Sequence, residues 1–527
     1  MSFLEFIKKI MLNLKLTDKS KTNAIGLLIF FVPFFTFLSA ENLKILGKGD
    51  IFEVFLSLII ILIVIFISSF SFEMLIKRLF KKKIILFPLL CFVFYLNFSF
   101  IPVIEYISDL LYPIFGYVYK SLLFIFFELV CLGIIVFGAK FKLFSIRMIF
   151  IFSVLMLINA IIPLVGYLVE NIGKKSTTTY EIEINESASL AQNNDLTKHN
   201  VYYIILDAMQ DIDTVSKANI VPKKKTLDNL SSVGLKYIDK SQSTYSVTHM
   251  TLASIMLADY HQKPSSPDYL DGSHFYPGIL QQNNNKVPLI SYLNKASSSF
   301  IWSGNEYASC RPSQKWTCIN SRHDLPSKNF FKFYLSTPFT MIYLKIFKDA
   351  EGSKSIDKFL KHVDTNGIPK TPFFAFIHHL SPHAPFLDPI ECEVIDYPVE
   401  RGAAYKSSYN CALRIINTFM EKINHIDPEA IVIFQGDHGW NGWDKSIGDK
   451  EISIGDKEIL RGRIFNAIKA PEICFEQYGL PKTNVNTTRF ALNCAYGFQF
   501  PYLRDTHYKV PDEKASYGKV IEKIIYE

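Results

Sequence analysis

Apolar residues are distributed along this chain in two different ways. Before residue 170 they come in five long runs, at roughly 23–40, 52–70, 84–104, 114–138 and 148–168, with few charges inside them. Each run approaches the ~20 residues that a helix needs to cross the hydrocarbon layer of a membrane. Consecutive runs of that length fit poorly to the buried helices of a water-soluble protein. Residues 1–170 are therefore expected to form an α-helical membrane domain of five spans. No small-residue cleavage site is evident and further spans follow the first, so it does not read as a removable signal peptide.

Beyond residue 200 the apolar runs are short and rich in β-branched and aromatic residues. Val201–Leu206 is the first, and runs at 300–302, 372–377, 430–434 and 463–468 follow. Continuous apolar runs of this kind suit strands buried on both faces of a sheet. Between them lie stretches with helical spacing, for example 407–423 and 486–494. Strands alternating with helices predict an α/β domain, a mostly parallel sheet covered by helices on both faces. The intervening stretch, 171–199, is polar and nearly free of aromatic residues, and reads as a linker. The expected organisation is a membrane domain (1–170), a linker (171–199) and an external domain (200–527).

Composition and charge add an orientation. The chain of 527 residues is 49% hydrophobic and holds 46 Phe, an excess concentrated before residue 170. Its net charge of +7 comes mostly from basic residues flanking the apolar runs. Lys8, Lys9, Lys15, Lys19 and Lys21 precede the first run; Lys77, Arg78, Lys81, Lys82 and Lys83 follow the second; Lys140, Lys142 and Arg147 follow the fourth. Basic loops stay on the cytoplasmic side, which puts the N-terminus inside and everything past residue 170 outside. No basic stripe is interleaved with aromatics, so no nucleic-acid partner is expected. Six cysteines lie in the external part, and an even number in an oxidising compartment predicts disulfides. The local pairs Cys310–Cys318, Cys392–Cys411 and Cys474–Cys494 are the expected ones.

Candidate chemistry gathers where strands end. Asp207 directly follows the first strand, and open α/β sheets bind their ligands beyond the carboxyl ends of the strands. The run 430–434 leads into Gln435-Gly436-Asp437-His438-Gly439. A carboxylate with an imidazole is a common ligand pair for zinc or manganese, and the flanking glycines are expected to let both side chains turn to one point. The run 372–377 leads into His378-His379-Leu380-Ser381-Pro382-His383. These histidines could orient a phosphate, act as a general acid or bind a second metal, and at least one is expected to be structural. The stretch Tyr245 to Met256 turns at Thr248 from a polar loop into an apolar helical pattern. A hydroxyl at a helix start sits where the helix dipole favours an anion, so Thr248 reads as an N-cap or as an alkoxide nucleophile. The company of Asp207, Asp437 and His438 favours the nucleophile, with Thr251 as the alternative one turn later.

With these residues in hand, the stretch 200–510 resembles the alkaline phosphatase/sulfatase superfamily. Within it, the chain is similar to membrane-anchored sulfatase-like proteins such as phosphoethanolamine transferases and lipoteichoic acid synthases. The strand ending in Asp207 resembles the first metal-ligand motif, and Thr248-His249-Met250-Thr251 the nucleophile motif. The loop from His378 to Pro385 resembles the substrate-side histidine loop, and Gly436-Asp437-His438-Gly439 the Ser-Asp-His-Gly motif. The resemblance implies one divalent metal, zinc or manganese, on Asp207, Thr248, Asp437 and His438. It implies Thr248 as nucleophile and His383 on the phosphate, with His378 or His379 beside it. It also implies a membrane phospholipid donor, a surface glycan or lipopolysaccharide acceptor, and a bacterial cytoplasmic membrane with the catalytic domain periplasmic or extracellular.

The chain departs from hydrolytic sulfatases at an informative place. Their Cys-x-Pro-Ser-Arg motif reads Thr248, Met250, Thr251 and Leu252 here. Threonine cannot become formylglycine, and the arginine is missing. A glutamate is usual at the Asp207 position in phosphoethanolamine transferases. Asp444, His383 and His507 are available as further ligands, but no spacing compels them, and His507 is left outside the expected site. The expected function is transfer of a phosphoethanolamine- or phosphoglycerol-type headgroup through a threonine. Hydrolysis of a phosphate or sulfate ester on a surface polysaccharide is the alternative, and a non-catalytic role in glycan assembly a further one.

Overall fold

The structure, a computed structural model, describes residues 198–261, 275–282, 287–305, 310, 316–320, 354–395, 399–443, 446–447, 450–451, 454–510 and 522–524. Before residue 198 it describes only scattered positions between 26 and 91. The expected spans and linker therefore lie almost wholly outside the described residues. Among the described residues, no helix is long and apolar enough to cross a membrane. By its contacts the chain divides into two compact units, Met1–Thr179 with Leu325–Asp349, and Tyr180–Asp324 with Ala350–Glu527. The second unit carries the α/β domain.

Its strands include β1 (Val201–Leu206), β2 (Lys236–Tyr237), β3 (Ser299–Gly304), β4 (Trp316–Asn320), β5 (Phe373–His379), β6 (Ile431–Gly436), the hairpin β7 (Ser446–Ile447) and β8 (Lys450–Glu451), and β9 (Asn466–Lys469). Seven of them form one sheet in the order β2-β9-β6-β1-β5-β3-β4. Its five strands from β6 to β4 are mutually parallel, and β9 runs antiparallel to both β6 and β2. The expected α/β architecture is present, with a mixed edge. The apolar run at 463–468 does not all join that edge. Arg463 and Ile464 pair with Gln242 and Gln210 in loops, and only from Asn466 does the chain enter the sheet. Strand β4 was not among the expected strands; its Trp-Thr-Cys-Ile-Asn alternates polar and apolar residues as a half-buried edge strand does.

Side-chain alternation along the strands divides the core in two. Val201, Tyr203 and Ile205 share one face with Phe374, Phe376, Ile431 and Ile433, packed with residues of the helices Thr248–Leu257, Pro288–Lys295 and Asn484–Tyr496. Tyr202, Ile204 and Leu206 share the other with Ala375, Ile377, Val432 and Phe434, packed with residues of Ser355–Asn366 and Arg401–Ile426. Burying such side chains contributes roughly 1.5–3 kcal/mol each, so both faces drive assembly of the same sheet.

Register then decides what meets at the rim. Leu206 pairs with His379 on one side and Gly436 on the other, so Asp207 and Asp437 emerge at the same level. Ile205 pairs with His378, which therefore points to the face of the Thr248–Leu257 helix, while His379 points with Leu206 to the opposite face. All three expected disulfides, Cys310–Cys318, Cys392–Cys411 and Cys474–Cys494, are formed.

Candidate functional site

Two buried carboxylates stand at this rim, and each has one oxygen anchored and one left over. Asp437 Oδ1 accepts hydrogen bonds from Ala208 N and His438 N, both at 2.9 Å. Asp207 Oδ2 lies 3.2 Å from His378 Nε2. The other oxygens, Asp437 Oδ2 and Asp207 Oδ1, are buried and have no hydrogen-bond partner among the described residues. A buried acceptor left without a donor costs about 1–3 kcal/mol, more when charged, so the pair calls for a counter-charge. Burial works against the charge on Asp207. The hydrogen bond from His378 and the proximity of His383, His378 and His438 outweigh it, holding the carboxyl well below the usual carboxylate range. Ligand atoms of Asp207, His378 and Asp437 lie within 4.8 Å of one another. Two carboxylates and an imidazole so placed fit a divalent cation of the zinc or manganese kind.

His438 closes the group from the other side. Its Nδ1 is 2.9 Å from Gly439 O, a carbonyl that only accepts, so the proton sits on Nδ1 and Nε2 offers its lone pair. That Nε2 is 3.2 Å from Thr248 Oγ1, 3.5 Å from Asp437 Oδ2 and 4.0 Å from Asp207 Oδ1. Thr248 is the first residue of its helix and not its cap. Val247 holds the cap position in extended conformation, its carbonyl accepts from Thr251 N at 3.1 Å, and no side chain caps the end. The Thr248 hydroxyl is thus turned to His438 and not back to its own helix. Thr251 is fully buried, donating to Tyr245 O at 3.0 Å and accepting from Tyr245 N at 3.3 Å. It ties down the loop before Thr248.

The three histidines of the loop after β5 go to three places. His378 joins the two carboxylates, a ligand-type position, one of the roles that the sequence left open for these histidines. His383 is exposed at the rim, held there by its N–H to Asp207 O at 3.0 Å. His379 is not brought to the group: it lies on the opposite face with Nδ1 3.2 Å from Ser355 Oγ. Burial, and then the neighbouring His378, push its pKa down to about 3. His507 also stays apart, donating from Nδ1 to Ser243 O at 2.8 Å, and burial pushes it down to about 4. Asp444 lies outside the described residues.

Several residues position this group in ways that the sequence did not reveal. A Cβ on Gly436 would stand 2.5 Å from Met209 O, and one on Gly439 would stand 2.4 Å from Leu460 O. Close approach of backbone, and not rotational freedom, is what these glycines provide. Ala208 takes a left-handed φ of 57°, which aims its N–H at Asp437, while its carbonyl accepts from Tyr405 Oη at 2.9 Å. Gln210 joins the two loops: its Nε2 donates to Leu460 O and Arg463 O, both at 2.9 Å, and its Oε1 accepts from Trp440 N at 3.0 Å. The glutamine and the tyrosine were legible as polar or aromatic positions, but not as partners of residues two hundred positions away.

No protein-family model and no curated protein sequence matches the chain. Solved structures do. The chain is similar to the integral membrane lipooligosaccharide phosphoethanolamine transferase A of Neisseria meningitidis, at 11% identity and a TM-score of 0.39, over 89% of this chain and 95% of that one. It is similar to the C-terminal periplasmic domain of the phosphoethanolamine transferase EptC of Campylobacter jejuni, at 11% identity and a TM-score of 0.36, over 58% and 91%. It is also similar to the lipoteichoic acid synthase LtaP of Listeria monocytogenes, at 15% identity and a TM-score of 0.36, over 59% and 76%.

Proposed function

We propose that the chain is a membrane-anchored, metal-dependent transferase that moves a phosphoethanolamine- or phosphoglycerol-type headgroup from a phospholipid to a hydroxyl of a surface glycan or lipopolysaccharide. The observation that carries this reading is the Thr248 hydroxyl hydrogen-bonded to His438 Nε2, beside two buried carboxylate oxygens that lack partners. Asp207, Asp437, His438 and Thr248, with His378 adjoining, would hold zinc or manganese. The bound cation would supply positive charge that favours the alkoxide of Thr248 and offsets the anionic oxygens of a phosphoryl group.

The chain's own residues do the rest. Thr248 Oγ1, its proton passed to water, attacks phosphorus as the alkoxide; the new O–P bond forms as the bond to the diacylglycerol oxygen breaks, and His383 at the rim gives that oxygen a proton. No side-chain hydrogen bond caps the first turn of the helix, an end whose dipole favours an anionic group. In the second half an acceptor hydroxyl gives its proton to His383 and bonds to phosphorus, and Thr248 is released. His379, bonded to Ser355 on the other face, has no part in these steps. The five apolar runs support an anchor (1–170) and a linker (171–199) that keep the external domain beside its lipid donor, on the outer side of a bacterial cytoplasmic membrane.

The test uses the full chain in detergent, loaded with zinc or manganese, with labelled phosphatidylethanolamine or phosphatidylglycerol and lipopolysaccharide as acceptor. Transfer of label is expected from the wild type and not from Thr248→Ala. A Thr248→Ala protein that keeps its metal and still transfers label would overturn the proposal. Fast multiple turnover of aryl phosphate or sulfate esters without an acceptor would point to a hydrolase, and absence of bound metal in elemental analysis to a non-catalytic role.

A further inference from the structure

The loop that presents Thr248 is gripped at nearly every residue. Gln242 N donates to Lys482 O at 2.7 Å, Ser243 N to Gly462 O at 2.7 Å, and Ser246 N to Tyr508 O at 3.1 Å. Arg461 Nε donates to Ser246 O at 2.6 Å. Between these, Thr244 N donates to Asn484 Oδ1 at 3.0 Å.

Asn484 differs from the other partners in what it joins. It opens the helix Asn484–Tyr496 and is wholly buried. While its Oδ1 accepts from Thr244, its Nδ2 donates to Gly436 O at 3.0 Å, the carbonyl just before Asp437. One planar amide thus touches both the loop that carries Thr248 and the strand end that carries Asp437 and His438. The helix that carries the amide is also tied to the sheet: Gln435 Nε2 donates to Thr487 Oγ1 at 3.0 Å, one turn along the same helix. Thr483 caps that helix, accepting from Asn486 N at 3.4 Å.

We infer that Asn484 is a positioning residue that sets the place of the Thr248 hydroxyl relative to Asp437 and His438. The inference rests on the proposed role of Thr248. Among short side chains, only asparagine puts an acceptor and a donor on one rigid group. Aspartate keeps the shape but sets a carboxylate oxygen against the Gly436 carbonyl, and alanine leaves two buried backbone groups unpaired. Either change releases the loop from the strand end without touching a candidate ligand. A misplacement of about 1 Å in a reacting group can cost about 100-fold in rate.

The experiment compares the zinc-loaded full chain with Asn484→Asp and Asn484→Ala by hydrogen–deuterium exchange, zinc content, and kcat and KM for label transfer from phosphatidylethanolamine or phosphatidylglycerol to lipopolysaccharide. Amides of 242–248 are expected to exchange about tenfold faster or more, while β1 and β5 stay protected and zinc is retained. kcat should fall about 10–100-fold, the range for losing an outer partner of a metal site, with KM changed less than about threefold. Unchanged exchange at 242–248 overturns the inference. So does faster exchange with an unchanged kcat, or a loss of protection spread over the whole domain with loss of zinc. If Asn484→Asp does not fold, the uncharged Asn484→Ala gives the same comparison. A wild type without turnover would sink the functional proposal, and the exchange pattern would still decide the placement of the loop.

Discussion

His378 and His379 are neighbours in sequence, both buried, at the end of one strand, and the sheet sends them to opposite faces. On the face of the Thr248–Leu257 helix, His378 meets Asp207 at 3.2 Å and completes a group with Asp437. On the face of the Ser355–Asn366 helix, His379 meets Ser355 and no carboxylate within the same group. The residue type is the same, and the chemistry follows from which loops arrive on each face. Among the described residues, only one face receives the Asp437–His438 turn and the uncapped start of a helix with a hydroxyl in its first position.

The largest break in this contrast should come from the carboxylate that both halves of the site share. Asp437→Ala removes the unpartnered oxygen and the acceptor of two backbone N–H groups. Zinc affinity, measured by competition with a chelator, is expected to drop by more than the 10–100-fold typical of losing an outer partner of a metal site. Full zinc binding in that variant would mean that the oxygens do not face a cation. The two histidines make the sharper pair. His378→Ala should weaken zinc by roughly 10–100-fold, whereas His379→Leu should leave it within about twofold. Equal losses from both would erase the distinction between the faces.

Acid sensitivity separates the faces in another way. His379 and His507 are held neutral by burial, with pKa values pushed from the ordinary 6.5 to about 3 and about 4. Below pH 6.5 the unfolded chain binds protons that these folded histidines refuse, so stability falls as pH falls. The loss amounts to about 1.4 kcal/mol per pH unit for each histidine, and levels off near each folded pKa. Denaturant unfolding of His379→Leu between pH 6.5 and 4 should show about half of this wild-type slope. An unchanged slope would mean that His379 is not the buried neutral group described.

The smallest effect is expected at Thr251. Its hydroxyl bonds to Tyr245, so Thr251→Val should cost about 1–2 kcal/mol of stability, read from urea unfolding, and leave transfer chemistry in place. Loss of all transfer with stability intact would move the nucleophile from Thr248 to Thr251.

Much of the rim was legible because it follows from short-range pattern. Continuous apolar runs ending in Asp207 and in Gly436-Asp437-His438 predict buried strands with loaded ends, and Thr248 marks the turn from polar loop to apolar helix. The opposed directions of His378 and His379 follow from strand alternation, but which face would receive Thr248 depends on packing of distant helices. The same holds for Asn484, Gln210, Tyr405 and Arg461, whose partners lie far along the chain. Gly436 and Gly439 were legible as necessary for a reason that the structure replaces. Their backbones touch the loops at Met209 and Leu460, and neither has a positive φ.

The central claim is that Thr248, turned toward His438 and the two carboxylates, becomes covalently bonded to the transferred group. Mass spectrometry of the proteolytic peptide that contains both Thr248 and Thr251 tests it directly, after the metal-loaded full chain is incubated with phosphatidylethanolamine or phosphatidylglycerol vesicles without acceptor. The account predicts a mass increment equal to the phospho-headgroup, fragmentation that assigns it to Thr248, and its disappearance when acceptor or chelator is added. An increment on Thr251, or transfer to acceptor with no increment on either threonine, would contradict it.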